Sequence, residues 1–137
     1  MVRSNNETDI FFKFRSDLLP SQVSLANLYV YIQGTTSGPI GHSVLLVQAL
    51  TADGQARVIR KKRIGVGGYR IGEWIQFPIR SQVRHWLTHP GSNYGLRIEA
   101  LDLTGKNLAL IRPRHRDEQA YVSIHTYYSR EISLCRI

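Results

Sequence analysis

The stretch LYVYI at residues 28–32 alternates aliphatic and aromatic side chains, which is the pattern of a β-strand. Successive side chains of a β-strand point to opposite faces, so Leu28, Val30 and Ile32 share one face, and Tyr29 and Tyr31 share the other. Aliphatic side chains belong in a core, whereas tyrosines tolerate a half-exposed position. The stretch therefore predicts a strand with an aliphatic inner face and two tyrosines on its opposite face.

Alternation with a period of two residues recurs along most of the chain. At residues 10–14 it places Phe11 on the face opposite to Phe12 and Phe14. Residues 44–50 form an almost continuous apolar run, which is typical of a strand buried on both faces. Further strands are predicted at residues 56–64, 74–79, 94–101, 108–111 and 121–128.

One segment follows the helical period instead. Four apolar residues recur at the spacing of a single helical stripe: Ile79, Val83, Trp86 and Leu87. The sequence His-Pro-Gly at residues 89–91 ends the pattern, because proline and glycine do not continue a helix. We therefore expect one short helix, with Trp86 in the core.

Eight or so short strands with a single helix predict an all-β fold, namely a sandwich of two antiparallel sheets. A chain of 137 residues, with 42% hydrophobic and 20% charged residues, suits one folded domain. We expect residues 1–9 to be a flexible N-terminal segment, residues 10–128 to form the sandwich, and residues 129–137 to be a C-terminal tail.

The formal net charge of +8 is concentrated in a basic run, Arg60-Lys61-Lys62-Arg63. The run lies on the strand that returns from a predicted type I′ turn at Asp53-Gly54. It is typical of a solvated edge strand, of a contact with a polyanion such as a sulfated glycan, or of a protease recognition site. A nucleic-acid partner is disfavoured, because no nucleic-acid-binding signature accompanies the charge.

The sequence contains no recognisable motif for catalysis, metal binding or cofactor binding. His85 and His89 are four residues apart, but Trp86 stands where the zinc-protease motif has glutamate. The glycines at residues 65–68 precede a strand, not the helix that a phosphate-binding loop requires. No pairing of nucleophile and base can be nominated either. The sequence predicts a binding module without a metal or cofactor, and not an enzyme.

Three isolated features concern processing and topology. Asn6 begins a glycosylation sequon, and the single cysteine, Cys135, excludes an internal disulfide. No apolar run reaches the length of about 20 residues that a membrane-spanning helix needs. No signal peptide stands at Met1, so we expect this chain to be an excised piece if the natural protein is secreted.

Three stretches occur in an order and spacing that resemble a known family. FFKF at residues 11–14 leads into residues 23–32, WIQFPIRSQVRHWL spans residues 74–87, and NYGLRIEALDLTGKNLAL spans residues 93–110. Together they resemble the propeptide of the TGF-β superfamily, closest to its activin and myostatin branch and to invertebrate activin-class ligands. The resemblance covers residues 10–126.

The resemblance implies a secreted, extracellular protein with an "arm" domain of two antiparallel sheets. Such an arm binds the mature growth-factor dimer without covalent bonds, assists its folding and secretion, and controls its latency after cleavage by a furin-like convertase. Heparan sulfate is a further expected partner, through the basic hairpin. Neither nucleic acid nor membrane is expected to bind.

Within that resemblance, the first and last strands are expected to be sheet edges that accept a growth-factor strand. The expected contacts are aromatic: Phe11, Phe12, Phe14, Tyr121 and Tyr127. Cys135 is a candidate for an interchain disulfide. The basic run satisfies the pattern that furin-type proteases read, although a strand must unfold locally before it can be cut.

Overall fold

The computed structural model describes residues 8–102 and 111–127, together with the backbone of residues 131–135. Short 3-10 turns lie at Pro20–Gln22 and Pro90–Ser92. The regular elements, in chain order, are β1 (Asp9–Ile10), β2 (Val23–Ile32), β3 (Gly41–Leu50), β4 (Ala56–Val66), β5 (Glu73–Pro78), α1 (Arg80–Thr88), β6 (Leu96–Asp102), β7 (Tyr121–Thr126) and β8 (Glu131–Cys135).

The strands form two four-stranded antiparallel sheets. Sheet I has the order β1-β6-β3-β4, and sheet II has the order β5-β2-β7-β8. With 48% of the described residues in strands and 13% in helices, this part of the chain is an all-β sandwich with one short α-helix, as the alternation predicted. Most neighbouring strands are distant in sequence, so the register between them depends on matching their apolar faces.

The core lies between the two sheets and contains the residues that the alternation placed inward. Leu28, Val30 and Ile32 of β2 are fully buried, while Tyr29 and Tyr31 between them are only half-buried. The other sheet and loop residues of the core are Ile10, Phe12, Leu18, Val23, Ala26, Leu45, Val47, Ala49, Ile64, Ile75, Phe77, Leu96, Ile98, Ala100, Ile111, Ala120, Val122 and Ile124.

Helix α1 closes one end of this core through the predicted stripe. Ile79, Val83 and Trp86 are buried, and Leu87 packs against the cluster from its margin. The rings of Trp86 and Phe14 lie 5.9 Å apart between centroids. The predicted helix and the core position of Trp86 are therefore confirmed.

The first strand is much shorter than predicted. It covers only Asp9 and Ile10, and the chain then leaves sheet I because Phe12 and Phe14 turn into the core and onto α1. Asp9 was assigned to a flexible segment, but it is buried in β1, and its carboxylate accepts two hydrogen bonds from Arg97 of β6 at 2.7 and 3.1 Å. The rest of that predicted segment, residues 1–7, lies outside the described residues.

The C-terminal end of the chain also differs from the prediction. Residues 129–137 were expected to be a tail, but residues 131–135 form β8, which pairs along β7. The strand predicted at 121–128 is therefore not a sheet edge, because β7 lies between β2 and β8. The stretch EISLC at residues 131–135 alternates polar and apolar side chains as a strand does, so the prediction of a tail overlooked this signal.

Two other predicted strands need correction or lie outside the description. Strand β3 begins at Gly41 instead of residue 44, and one of its faces is only half-buried at Val44 and Leu46. Residues 108–110 of the predicted strand at 108–111 lie outside the described residues, and Ile111 is buried in a non-strand segment.

Candidate functional site

Sheet II carries an aromatic cluster on its outer face, which we call the aromatic face: Tyr29, Tyr31, Trp74 and Tyr121. Tyr29 pairs with Tyr121 across β2 and β7, and Tyr31 pairs with Trp74 across β2 and β5. Each of the four follows or precedes a buried aliphatic residue, so the pleat sends it outward. Strand register thus brings together three segments that are far apart in the chain.

The four rings contact one another in a continuous row. Tyr29 and Tyr121 stack with centroids 4.8 Å apart and an interplanar angle of 16°. Trp74 meets Tyr31 at 5.2 Å and Tyr121 at 5.4 Å, both edge to face. Rings fixed in this way lose little conformational freedom on binding a partner, and Trp74 remains 43% exposed.

The aromatic face depends on a glycine at its border. A Cβ atom on Gly72 would collide with the hydroxyl and ring of Tyr31, so only glycine lets the loop approach β2 so closely. Because glycine has no side chain, it leaves the space that the Tyr31 ring occupies, and the contact between Tyr31 and Trp74 depends on that space.

A polar network joins the end of β2 to the loop that precedes β7. Gln33, which follows β2, donates to Glu118 at 3.1 Å, and Arg112 donates twice to the same carboxylate. Burial alone would raise the pKa of Glu118, but the hydrogen bonds from Arg112 and Gln33 outweigh it and hold that pKa below its usual value.

The basic run lies on β4, the edge strand of sheet I, so its predicted place on the returning strand of a hairpin is confirmed. The predicted type I′ turn at Asp53-Gly54 is wrong, because the Gly54 amide donates to the Thr51 carbonyl at 3.0 Å and so centres the turn on Ala52-Asp53. Lys61, Lys62 and Arg63 are exposed, and within the described residues their side chains form no hydrogen bond or ion pair. Exposed cations on a free strand edge discourage pairing with other chains and attract polyanions.

A β-bulge sorts these cations between the two faces of β4. The pairing of β3 with β4 shifts between Val47 and Gln48, which leaves Ile59 as the extra residue. Arg57 and Arg60 consequently lie on one face even though they are three residues apart. Lys62 shares that face, because it pairs with the buried Leu45.

A cleft of about 390 Å³ opens between β4 and α1. Arg57, Arg60, Ser81, Gln82 and His85 line it, together with Val58, Ile59, Pro78 and Ile79. A wider groove of about 800 Å³ adjoins it beside the end of the β3–β4 hairpin and shares Arg57, Gln82 and His85 with it. Together they form a basic, partly enclosed surface that sequence periodicity does not reveal.

Two loops at one end of the sandwich expose apolar side chains, which we call the loop tips: Ile40, Tyr69 and Ile71. Each is at least 74% exposed. The loops are joined by a bridge between Thr35 and Arg70 and by a hydrogen bond from the Gly68 amide to the Gly38 carbonyl at 3.0 Å. The tips are thus carried by a braced structure.

The residues that were predicted to contact a growth factor do not form one site. Phe12 is fully buried, Phe14 packs on Trp86, and Phe11 is half-buried beside them. Tyr121 belongs to the aromatic face, whereas Tyr127 is exposed near α1, where its hydroxyl is 3.2 Å from a guanidinium nitrogen of Arg84.

The remaining predicted residues are placed as follows. Asn6 lies outside the described residues, and Cys135 ends β8, where its backbone pairs with Tyr121. The rings of His85 and His89 are 5.1 Å apart. Among the described residues, no group of three or more metal-ligating side chains comes together.

No protein-family model matches the chain. Within the described part of the structure, no helix is long and apolar enough to span a lipid bilayer.

Sequence reasoning missed two residues that matter most. Trp74 was assigned to a strand without a face, although its position directly before the buried Ile75 indicates an outward side chain. Arg57 was assigned only to the strand at residues 56–64, and no sequence signal indicates the bulge that brings it to the same face as Arg60.

Proposed function

We propose that this chain is the arm domain of a growth-factor propeptide of the TGF-β superfamily, in its activin class. The arm binds the mature growth-factor dimer without covalent bonds, assists its folding and secretion, and restrains its activity. The family resemblance of residues 10–126 supports this function, and so does the agreement between the implied architecture and the observed one. That architecture is two antiparallel sheets with a single helix directly after β5.

The observation that carries the proposal is the aromatic face of sheet II. If this face contacted only solvent, it would be expected to carry polar residues, because antiparallel strands normally alternate apolar side chains toward the core with polar side chains toward solvent. Tyrosine and tryptophan are also the residues most enriched where protein partners bury surface. The growth-factor contact is therefore assigned to Tyr29, Tyr31, Trp74 and Tyr121.

This assignment replaces the contacts expected from the sequence. Phe12 and Phe14 stabilise the core and are not available to a partner. Strand addition at the end of the chain would take place at β8, the edge of sheet II, and not at β7. Addition at β1 is limited to a two-residue strand.

Co-expression of this chain with activin-class growth-factor dimers tests the proposal. The chain should co-purify with at least one dimer, and Trp74→Ala should weaken the complex by at least tenfold, because truncating a central aromatic contact costs about 2 kcal/mol or more. Binding is measured by surface plasmon resonance on the purified complex.

Tyr69→Ala is the matched control, because Tyr69 is an exposed aromatic residue outside the aromatic face. It should leave the affinity within about twofold. Thermal unfolding of both variants separates lost contacts from lost folding. Failure of the chain to bind any activin-class dimer would contradict the function, and equal losses from both variants would contradict the assigned face.

A second function is favoured by the exposed cations of β4, which face solvent in a row along a sheet edge. In this function the chain captures sulfated glycans, and it is compatible with the first. Retention on a heparin column with elution only well above physiological salt would support it, because exposed charge pairs are screened beyond about 8 Å at 0.15 M. Convertase cleavage at residues 60–63 is a weaker proposal, since it requires β4 to separate from β3.

A further inference from the structure

The cleft between β4 and α1 carries two guanidinium groups that are hydrogen-bonded to residues of its wall. Arg60 donates from Nε to the Pro78 carbonyl at 2.7 Å and from Nη1 to the Ile59 carbonyl at 3.2 Å. Arg57 donates from Nη2 to the Gln82 side chain at 3.3 Å. Pro78 and Gln82 both line the cleft, so these bonds locate both cations at its wall.

These bonds leave donors for a ligand. A guanidinium has five N–H groups, and within the described residues Arg57 uses one of them and Arg60 uses two. Because the side chains are already held, binding an anion there costs less conformational entropy than recruiting the flexible Lys61 or Arg63. A planar guanidinium also matches the oxygens of a sulfate or phosphate group in pairs.

The charge of the cleft is of one sign. Among the described residues that line it and the adjoining groove there is no aspartate or glutamate, whereas Arg57, Arg60, His85 and His89 are all present. Lys62 continues the row on the same face of β4, two residues and therefore about 7 Å beyond Arg60. The cations thus form a line that begins in the cleft and runs along the strand.

We propose that this line is a specific binding site for a sulfated glycan, with one sulfate group seated in the cleft between Arg57 and Arg60. On the Arg60 side of the cleft, the next sulfate meets Lys62. On the Arg57 side, the saccharide continues past His85 into the wider groove beside Tyr94 and Pro90. The site rests on the second function proposed above and sharpens it. Only the cations on one face of β4 belong to it, whereas Lys61 and Arg63 on the opposite face do not.

The β-bulge supplies the test, because it separates two pairs of cations of equal charge on one strand. Arg57→Ala with Arg60→Ala removes two charges from the cleft face, and Lys61→Ala with Arg63→Ala removes two charges from the other face. Affinity for heparin is measured by isothermal titration and by the salt needed for elution. The first double variant should lose at least about tenfold in affinity, and the second no more than about threefold.

Three further measurements distinguish a specific site from general attraction by charge. Arg57→Lys with Arg60→Lys keeps the charge and removes the planar fork, so it should still lose several-fold in affinity. This variant answers the question if the alanine pair fails to fold, which thermal unfolding of every variant would show. Desulfated heparin should not bind, and polyphosphate of similar charge density should bind more weakly than heparin.

The outcomes separate this site from the function on which it rests. Equal losses from the two alanine pairs, or polyphosphate binding as tightly as heparin, would mean a general attraction of polyanions and would overturn the site. No retention of the wild-type chain on heparin at physiological salt would overturn the glycan function as well. Selective loss in the cleft-face variants supports both.

Discussion

The two sheets of this sandwich share one core but present opposite kinds of surface to solvent. The outer face of sheet II is a row of contacting rings fixed by strand register. Sheet I ends instead at β4, an edge strand with cations on both faces: Arg57, Arg60 and Lys62 on one, Lys61 and Arg63 on the other. A rigid apolar surface suits a protein partner, whereas long cations at an edge suit a charged polymer. The two proposed partners would therefore meet different surfaces of one domain.

The largest expected effect comes from removing the core that both surfaces share. Trp86→Ala should lower the free energy of unfolding by about 3–5 kcal/mol, because Trp86 is 98% buried and its loss leaves a cavity. The variant should unfold in one thermal transition, which circular dichroism follows. Growth-factor binding and heparin binding should be lost together over that transition. A stable variant that keeps either surface would show that the two sheets do not depend on a common core.

A smaller substitution should damage the aromatic face alone. Gly72→Ala places a methyl group against the Tyr31 hydroxyl, so the ring must move, and we expect a loss of about 1–3 kcal/mol in stability together with weaker growth-factor binding. Heparin affinity should stay unchanged. Trp74 fluorescence and near-ultraviolet circular dichroism report the disturbed ring contacts.

Gly91→Ala provides the control for that substitution, because a Cβ atom there meets nothing within 4 Å. Adding Tyr31→Phe to Gly72→Ala should restore part of the lost stability, since it removes the hydroxyl that collides. If Gly72→Ala behaves like Gly91→Ala, the close approach between this loop and β2 does not define the aromatic face.

The smallest expected effect is a pH dependence at the border of sheet II. Because the folded-state pKa of Glu118 lies below its unfolded value, this group stabilises the fold above the unfolded pKa, and the contribution is lost as pH falls through the folded pKa. The loss should amount to less than about 1 kcal/mol between about pH 5 and 3, since Arg112 is half-exposed. Arg112→Ala should flatten the stability profile in that range, as measured by urea unfolding. An unchanged profile would contradict the role of this ion pair.

The alternation of apolar residues was sufficient to predict most strands, the single helix and the sandwich, because burial on one face imposes a period that survives in the sequence. It also predicted that Tyr29 and Tyr31 point away from the core. It could not predict that Trp74 and Tyr121 would join them, because strand order and register are decided between segments distant in the chain.

The errors at the two ends of the chain have a different cause. Residues 10–14 alternate like a strand, but Phe12 and Phe14 stabilise the molecule more by filling the core and covering Trp86 than by extending β1. At the other end, residues 131–135 do alternate polar and apolar side chains, and their pairing with β7 shows that they form a strand and not a tail. The bulge at Ile59, by contrast, leaves no mark in residue spacing, so the cleft could not be predicted from sequence.

The braced loop tips have a consequence for how this protein behaves as a colloid. Ile40, Tyr69 and Ile71 expose apolar surface through which two copies of the molecule can associate. The formal net charge of +8 opposes that association in dilute buffer, because like-charged molecules repel one another. At 1 M salt the Debye length falls to about 3 Å, and that repulsion no longer reaches between molecules. Rising ionic strength should therefore act in opposite senses at two places on one surface: it should weaken the proposed polyanion contact at β4 and favour reversible self-association through the tips.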